Sequence, residues 1–158
     1  MMVHQLELFY GYASMPWQHR IENRIDTHFM NLEENNMTKY SHLAGRILLA
    51  LIFVMAGIGK INDPAGTTGY MEAMGIPGIL LWPTIALEVL GGIAIIVGFQ
   101  TRLVAYLLAG FCIATAAIFH SNFGEQMQMI LFMKNLAIAG GFLLLASSGA
   151  TAFAVDKR

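Results

Sequence analysis

The hydrophobic pattern of this chain has two regimes. Through residue 36 polar and apolar positions are mixed, and from there on four long apolar runs are separated by short polar breaks. The runs cover residues 43–61, 79–98, 101–119 and 128–147. Each holds about 20 residues, and at about 1.5 Å of rise per residue that is enough for a helix to cross the roughly 30 Å hydrocarbon core of a bilayer. The pattern predicts an all-α integral membrane protein, an antiparallel four-helix bundle, with its transmembrane domain in residues 37–158.

The breaks predict how the runs are joined. Asn62-Asp63-Pro64 stops the first helix, because proline restricts the residue before it and cannot continue the hydrogen-bond ladder. Residues 65–78 contain Gly66, Gly69, Gly75 and Pro77, so they are too short and broken to span. They read as a small interfacial helix anchored by Tyr70. Gly98-Phe99-Gln100-Thr101-Arg102 is so tight a connection that the second and third spans must be antiparallel neighbours. Residues 121–125 form a polar loop, and Asp156-Lys157-Arg158 a polar tail. Small residues recur four apart at Ala94/Gly98, Ala105/Ala109, Gly110/Ala114 and Ala137/Gly141, either as close helix contacts or as the chance yield of Gly/Ala-rich spans.

Residues 1–36 are a polar extension with no sustained apolar run, neither a signal peptide nor a span. A short helix is expected over 19–34, where Ile21, Ile25, Phe29 and Leu32 fall at helical spacing. His4, His19 and His28 lack metal-ligand spacing and read as solvated side chains. Met37 offers a second start of translation, so the extension is expected to be dispensable or absent from the mature protein.

Composition narrows the class. The chain of 158 residues is 56% hydrophobic and 12% charged, with a mean hydropathy of +0.59, against roughly 25% charged for an ordinary soluble domain. A net charge of -1 without a Lys/Arg cluster gives no basis for nucleic-acid binding. Cys112 is the sole cysteine, which excludes internal disulfides and Cys-ligated zinc or iron–sulfur centres. Lys39, Arg46, Arg102, Lys157 and Arg158 gather on the side of the termini, while the opposite loops hold Asp63, Glu72 and Glu125 with only Lys60 at a helix end. The positive-inside rule puts both termini in the cytoplasm.

Polar residues inside the spans carry the candidate chemistry. Glu88 interrupts the second run, and a charge near mid-membrane costs on the order of 2.5–3.5 kcal/mol on insertion scales, so it should face a partner or a polar cavity. It lies roughly 14 Å below the outer end of its span and Lys134 roughly 9 Å below the outer end of the fourth. A lysine stem covers that difference. The outer half of the bundle can therefore gather Glu88, Lys134, Asn135, His120 and, if it leans inward, Lys60. Arg46 and Arg102 fall together at the inner end, where both also read as topological anchors. For Glu88 and Lys134 two readings stay open: an interhelical ion pair that locks register, and a polar pocket or proton relay for a small redox-active or acidic ligand. A bis-histidine haem is excluded, because His42 and His120 sit at opposite ends of their helices. No phosphate loop, Ser-His-Asp set or metal cluster is visible. Electrons for any redox chemistry must come from a partner or a diffusible carrier such as quinone.

Taken as an ordered set, Gly75-Ile76-Pro77, Glu88 with Gly91-Gly92, Gly98 with Thr101-Arg102, His120 closing the third span and Lys134-Asn135 in the fourth resemble the DoxX family of small four-helix membrane proteins, over about residues 45–147. The resemblance implies a bacterial or archaeal inner-membrane protein and, for some members, a link to quinone-reducing oxidoreductase complexes. It directs attention to Glu88, Arg102, His120 and Lys134, with Asn135 beside them, as a ligand pocket. The expected role is a subunit or accessory protein of a quinone-linked redox system, with quinone as the candidate cofactor and with lipid, redox-complex subunits or further copies of the chain as partners. An assembly protein without catalysis and a carrier of small solutes or protons are the alternatives.

Overall fold

The computed structural model describes the backbone of residues 16–150 and 153–156 and the side chains of 36–150 and 153–156. Helix α1 runs Pro16–Asn62, α2 Pro64–Ala73, α3 Leu81–Val97, α4 Thr101–Phe119 and α5 Gln126–Ser148, with a 3-10 turn at Gly78–Leu80 leading into α3. Among the described residues four segments are long and apolar enough to cross a membrane: Asn36–Asn62, Gly78–Val97, Thr101–Phe119 and Gln126–Ser148. The helix expected over 19–34 lies within α1, since no glycine or proline interrupts 17–44; its side chains, and residues 1–15 with His4, lie outside the described residues. The chain divides into two units, Met1–Thr38 and Lys39–Arg158, and the second holds the bundle.

Helix ends follow local chemistry. Asp63 caps α2 by accepting from the Gly66 amide at 2.9 Å, and Pro64 at its first position has no N–H to leave unpaired. Pro83 is tolerated in the first turn of α3 for the same reason. Met71 pins α2 to Leu81 and Ile85. The α3–α4 connection turns on Gly98, whose φ of 72° lies in the left-handed region.

The four spans form an antiparallel four-helix bundle in which each touches the next and the last closes on the first. Gly92 of α3 meets α1 so closely that an added methyl would stand 2.7 Å from Val54 Cγ2 and 3.2 Å from the Ala50 carbonyl oxygen. Gly91 faces Leu108 and Val104 of α4, and Gly141 of α5 faces Leu49 of α1. One core joins all four: Phe53, Ile95, Leu108, Cys112 and Phe142 are buried together, with the Phe53 and Phe142 rings edge-on at 5.3 Å. Ala105, Ala109 and Gly141 use their small size at helix contacts, whereas Gly110 and Ala114 face outward. Leu48, Leu90 and Leu144 are 71%, 66% and 73% exposed. Apolar side chains so open on every span are suited to lipid and not to water.

The C-terminal tail folds back onto the α3–α4 turn. Val155 and Asp156 donate their amides to the carbonyls of Val97 and Gly98, and the Asp156 carboxylate accepts from the amides of Gln100 at 2.7 Å and Thr101 at 2.8 Å. Gln100 is a poor N-cap, so Asp156 serves α4 as a cap from 55 residues away. The Thr101 amide, helped by Gln100 and by the charge of Arg46, holds this carboxyl below its usual 3.8. A group lowered on folding stabilises above its unfolded pKa and loses that contribution as pH falls through the folded value. Asp156→Asn should therefore cost about 1 kcal/mol near neutrality, toward the low end for a half-exposed cap. The difference from wild type should shrink as pH falls below the ordinary carboxyl value of 3.8, which unfolding curves in detergent taken from neutrality down into acid would detect.

Candidate functional site: a polar cavity at the Lys60 end of the bundle

Glu88 sits on the eighth position of α3, 4% exposed, between α1 and the cavity. Its partner is Lys60 on the last turn of α1, whose Nζ donates to Oε1 at 2.9 Å. The crossing of α1 over α3 explains the choice. Gly57, one turn before Lys60, leaves its missing side chain against Val89 and the Glu88 Cβ, so the two backbones close up just where the lysine leaves α1. Lys134, the partner favoured by depth alone, is exposed and makes no ion pair with Glu88.

Glu88 Oε2 is buried and has no hydrogen-bond partner. Glu88 is one of the residues lining a cavity of about 480 Å³ that also takes in Lys60, His120, Lys134 and Asn135. That volume is within the ordinary range for small-molecule sites. The wall is mainly apolar, from Phe53, Met71, Phe111 and Ile138 among others, and the outward-facing Ile52, Ala114 and Ile118 also border it, which opens it toward the lipid side. Tyr70 of α2 stacks on Phe119 at 5.5 Å near the end of α4. His120, which terminates α4, has its Nδ1 2.8 Å from Gln128 Oε1. A proton on Nδ1 would be donated to that amide oxygen.

Of the residues that the family likeness singles out for a pocket, Glu88, His120, Lys134 and Asn135 line this cavity and Arg102 does not. It lies on the first turn of α4, exposed beside Gly149, at the opposite end of the bundle. Arg46 is at that end too, 1% exposed, with Nη2 donating to the Phe153 carbonyl at 2.7 Å and the Phe153 ring stacked on Tyr40. Sequence reading gave Cys112, Thr84 and Thr115 no place in the cavity, because each passes for an ordinary span residue. A missing cap at Gln100 was the signal that could have located the role of Asp156. Among the described residues no group of three His, Cys, Asp or Glu is placed to hold a metal ion.

Four apolar spans, an acid and a base paired inside them and a cavity open to lipid define a multi-pass membrane protein with an intramembrane polar site. The DoxX family profile matches residues 41–121, which include Lys60, Glu88, Arg102 and His120. The chain belongs to the DoxX family and is a multi-pass inner-membrane protein. It is 53% identical over 115 residues to the inner membrane protein YqjF of Escherichia coli (strain K12), covering 73% of this chain and 88% of that one. The inner membrane protein YphA of the same strain is 40% identical over 123 residues, with the same coverage. CatD of Bacillus subtilis (strain 168), provisionally named an oxidoreductase, is 30% identical over 64 residues, 40% of this chain and 48% of that one. No solved structure matches the chain.

Proposed function

We propose that the protein is a subunit or accessory protein of a quinone-linked redox system and that the cavity beside Glu88 holds the quinone head group. The observation that carries this reading is a buried Glu88, with one carboxylate oxygen unpartnered, among the residues lining a 480 Å³ cavity that exposed apolar residues also border. Leaving such an oxygen without a hydrogen bond costs about 1–3 kcal/mol, a cost that an O–H of the reduced, quinol form removes by donating to it. The donor set fits. Apolar walls suit the ring, polar groups on several helices suit its two oxygens, and the open side suits an apolar tail. The oxidoreductase name of CatD points the same way. A bound quinone would supply two-electron, two-proton carriage. Lys60 holds Glu88 in one rotamer through Oε1, His120 is oriented by Gln128, and the Tyr70–Phe119 stack restricts water at the cavity's end. The positive-inside pattern supports cytoplasmic termini and hence a cavity in the outer half of the membrane. Residues 37–158 are sufficient for the activity in this reading, with the extension 1–36 dispensable.

Lipid extracts of the gently solubilised, purified protein should contain quinone in near-stoichiometric amount. Glu88→Gln, which keeps the shape and Lys60's acceptor, should lower that content at least roughly tenfold while the helical signal is retained. Equal quinone in wild type, variant and an unrelated four-span protein from the same membrane would defeat the proposal. Loss of partner subunits from the pull-down with no change in quinone would favour the assembly role instead.

A further inference from the structure

A second polar centre lies at the opposite end of the bundle from the cavity. Arg46 is enclosed there, and its Nη2 donates to the Phe153 carbonyl oxygen at 2.7 Å. Nε and Nη1 are buried too, and they have no hydrogen-bond partner among the described residues. A guanidinium carries five N–H donors and keeps its charge at any pH a protein meets, so the one N–H of Nε and the two of Nη1 go unanswered. Arg46 also forms no ion pair among the described residues.

Asp156 marks where an anion sits beside it. Its Oδ1 accepts from the Gln100 amide at 2.7 Å and its Oδ2 from the Thr101 amide at 2.8 Å, which is how the N-terminus of a helix such as α4 holds a phosphate. The guanidinium adjoins this point. Nη1 stands 2.5 Å from where the first side-chain carbon of a residue at Gly98 would be, and the charge of Arg46 reaches the Asp156 carboxylate. The aspartate spends both oxygens on the amides and stays outside ion-pair distance of Arg46. A phosphate has more oxygens, arranged as a tetrahedron, so one group can accept from both amides and from the fork of an arginine.

The tail is built to come away. Phe153 and Val155 are exposed, so docking buries little of their apolar surface, and Phe153 has a φ of 57°, a left-handed conformation that a bulky residue resists. We propose that residues 153–156 are the internal occupant of a phosphate-binding site, formed by Arg46 and the amides of Gln100 and Thr101, and that an external phosphate group displaces them. Tyr40, exposed and stacked on Phe153, gives this end an aromatic pair of the kind that sits at head-group level. The site is therefore within reach of phospholipid head groups as well as of dissolved phosphate.

The test uses the full chain in dodecylmaltoside, a detergent without phosphate, titrated calorimetrically with dihexanoyl phosphatidate or with inorganic phosphate while hydrogen exchange follows the tail. Saturable binding, with faster exchange of the Val155 and Asp156 amides, is the expected result. Asp156→Asn, which leaves a weaker occupant, should bind roughly tenfold tighter than wild type. Adding Arg46→Lys to Asp156→Asn should weaken binding on the order of tenfold by removing the fork, and adding Arg46→Gln should weaken it further. Arg46→Lys keeps the charge and decides the matter if Arg46→Gln does not fold. Tighter binding of phosphatidate assigns the site to lipid head groups, and an equal or reversed order assigns it to dissolved phosphate. Absence of saturable binding by either probe in Asp156→Asn overturns the proposal, as does affinity indifferent to Arg46. Binding that leaves tail exchange unchanged, or that has the same Kd in wild type and Asp156→Asn, puts the phosphate elsewhere and overturns it too.

Discussion

Replacing Lys60 with methionine is expected to destabilise the bundle by roughly 3–5 kcal/mol, the largest effect of any single side chain outside the core. The cause is what remains. Glu88 would keep its place, 4% exposed inside α3, with neither oxygen bonded and its ion-pair partner gone. The double variant Lys60→Met/Glu88→Gln should recover most of the loss, because removing both charges removes the desolvation penalty along with the attraction. Lys134→Met should cost under about 1 kcal/mol, as for other exposed cations. Chemical unfolding of these four proteins and the Glu88→Gln single variant in one detergent, followed by far-UV circular dichroism, gives the coupling energy directly. A Lys60→Met variant as stable as wild type would mean that the pair contributes nothing to the fold.

Gly98→Val should have the second large effect, a loss on the order of 3–5 kcal/mol from two separate causes. The φ of 72° is a conformation that a β-branched residue strongly resists. A side chain there would also meet Ala154 and Arg46, each 2.5 Å from the position of its first carbon. Displacing them would loosen the tail from Arg46 and take the Asp156 cap from α4. Gly98→Asn, which tolerates the left-handed region, should fall between wild type and Gly98→Val in thermal unfolding. The same order should hold for protection of the tail from proteolysis.

The bundle was legible in the sequence because few arrangements satisfy runs of about 20 apolar residues. Pro64, Gly98 and the tight 98–102 connection fixed where helices stop and which are neighbours, and the observed α4, Thr101–Phe119, has the expected bounds. The cavity was partly legible for a related reason. Counting residues along a span gives depth, and depth put Glu88, His120, Lys134 and Asn135 in one half of the bundle, where they line one cavity. Depth does not give direction around the helix axis. Both Lys60 and Lys134 could reach Glu88 by height, and the choice falls to the α1–α3 crossing at Gly57 and Gly92, a property of the packed pair. Arg102 shows the opposite lesson. Family likeness grouped it with the pocket, whereas its own depth had already assigned it to the far end, where the structure has it. The docked tail left little trace in a sequence pattern, since residues 153–156 hold on through backbone groups and one carboxylate.

Thermal unfolding of the purified protein with and without decylubiquinol, under anaerobic conditions, tests most directly whether Glu88 faces a ligand site. A ligand that binds only the folded state stabilises it by about 2.7 kcal/mol at 100 times its Kd. Wild type should therefore unfold several degrees higher with the probe present, and Glu88→Gln at the same probe concentration should gain much less. A wild-type midpoint unmoved by the probe, or one that rises equally in Glu88→Gln, would mean that the carboxylate only locks two helices together.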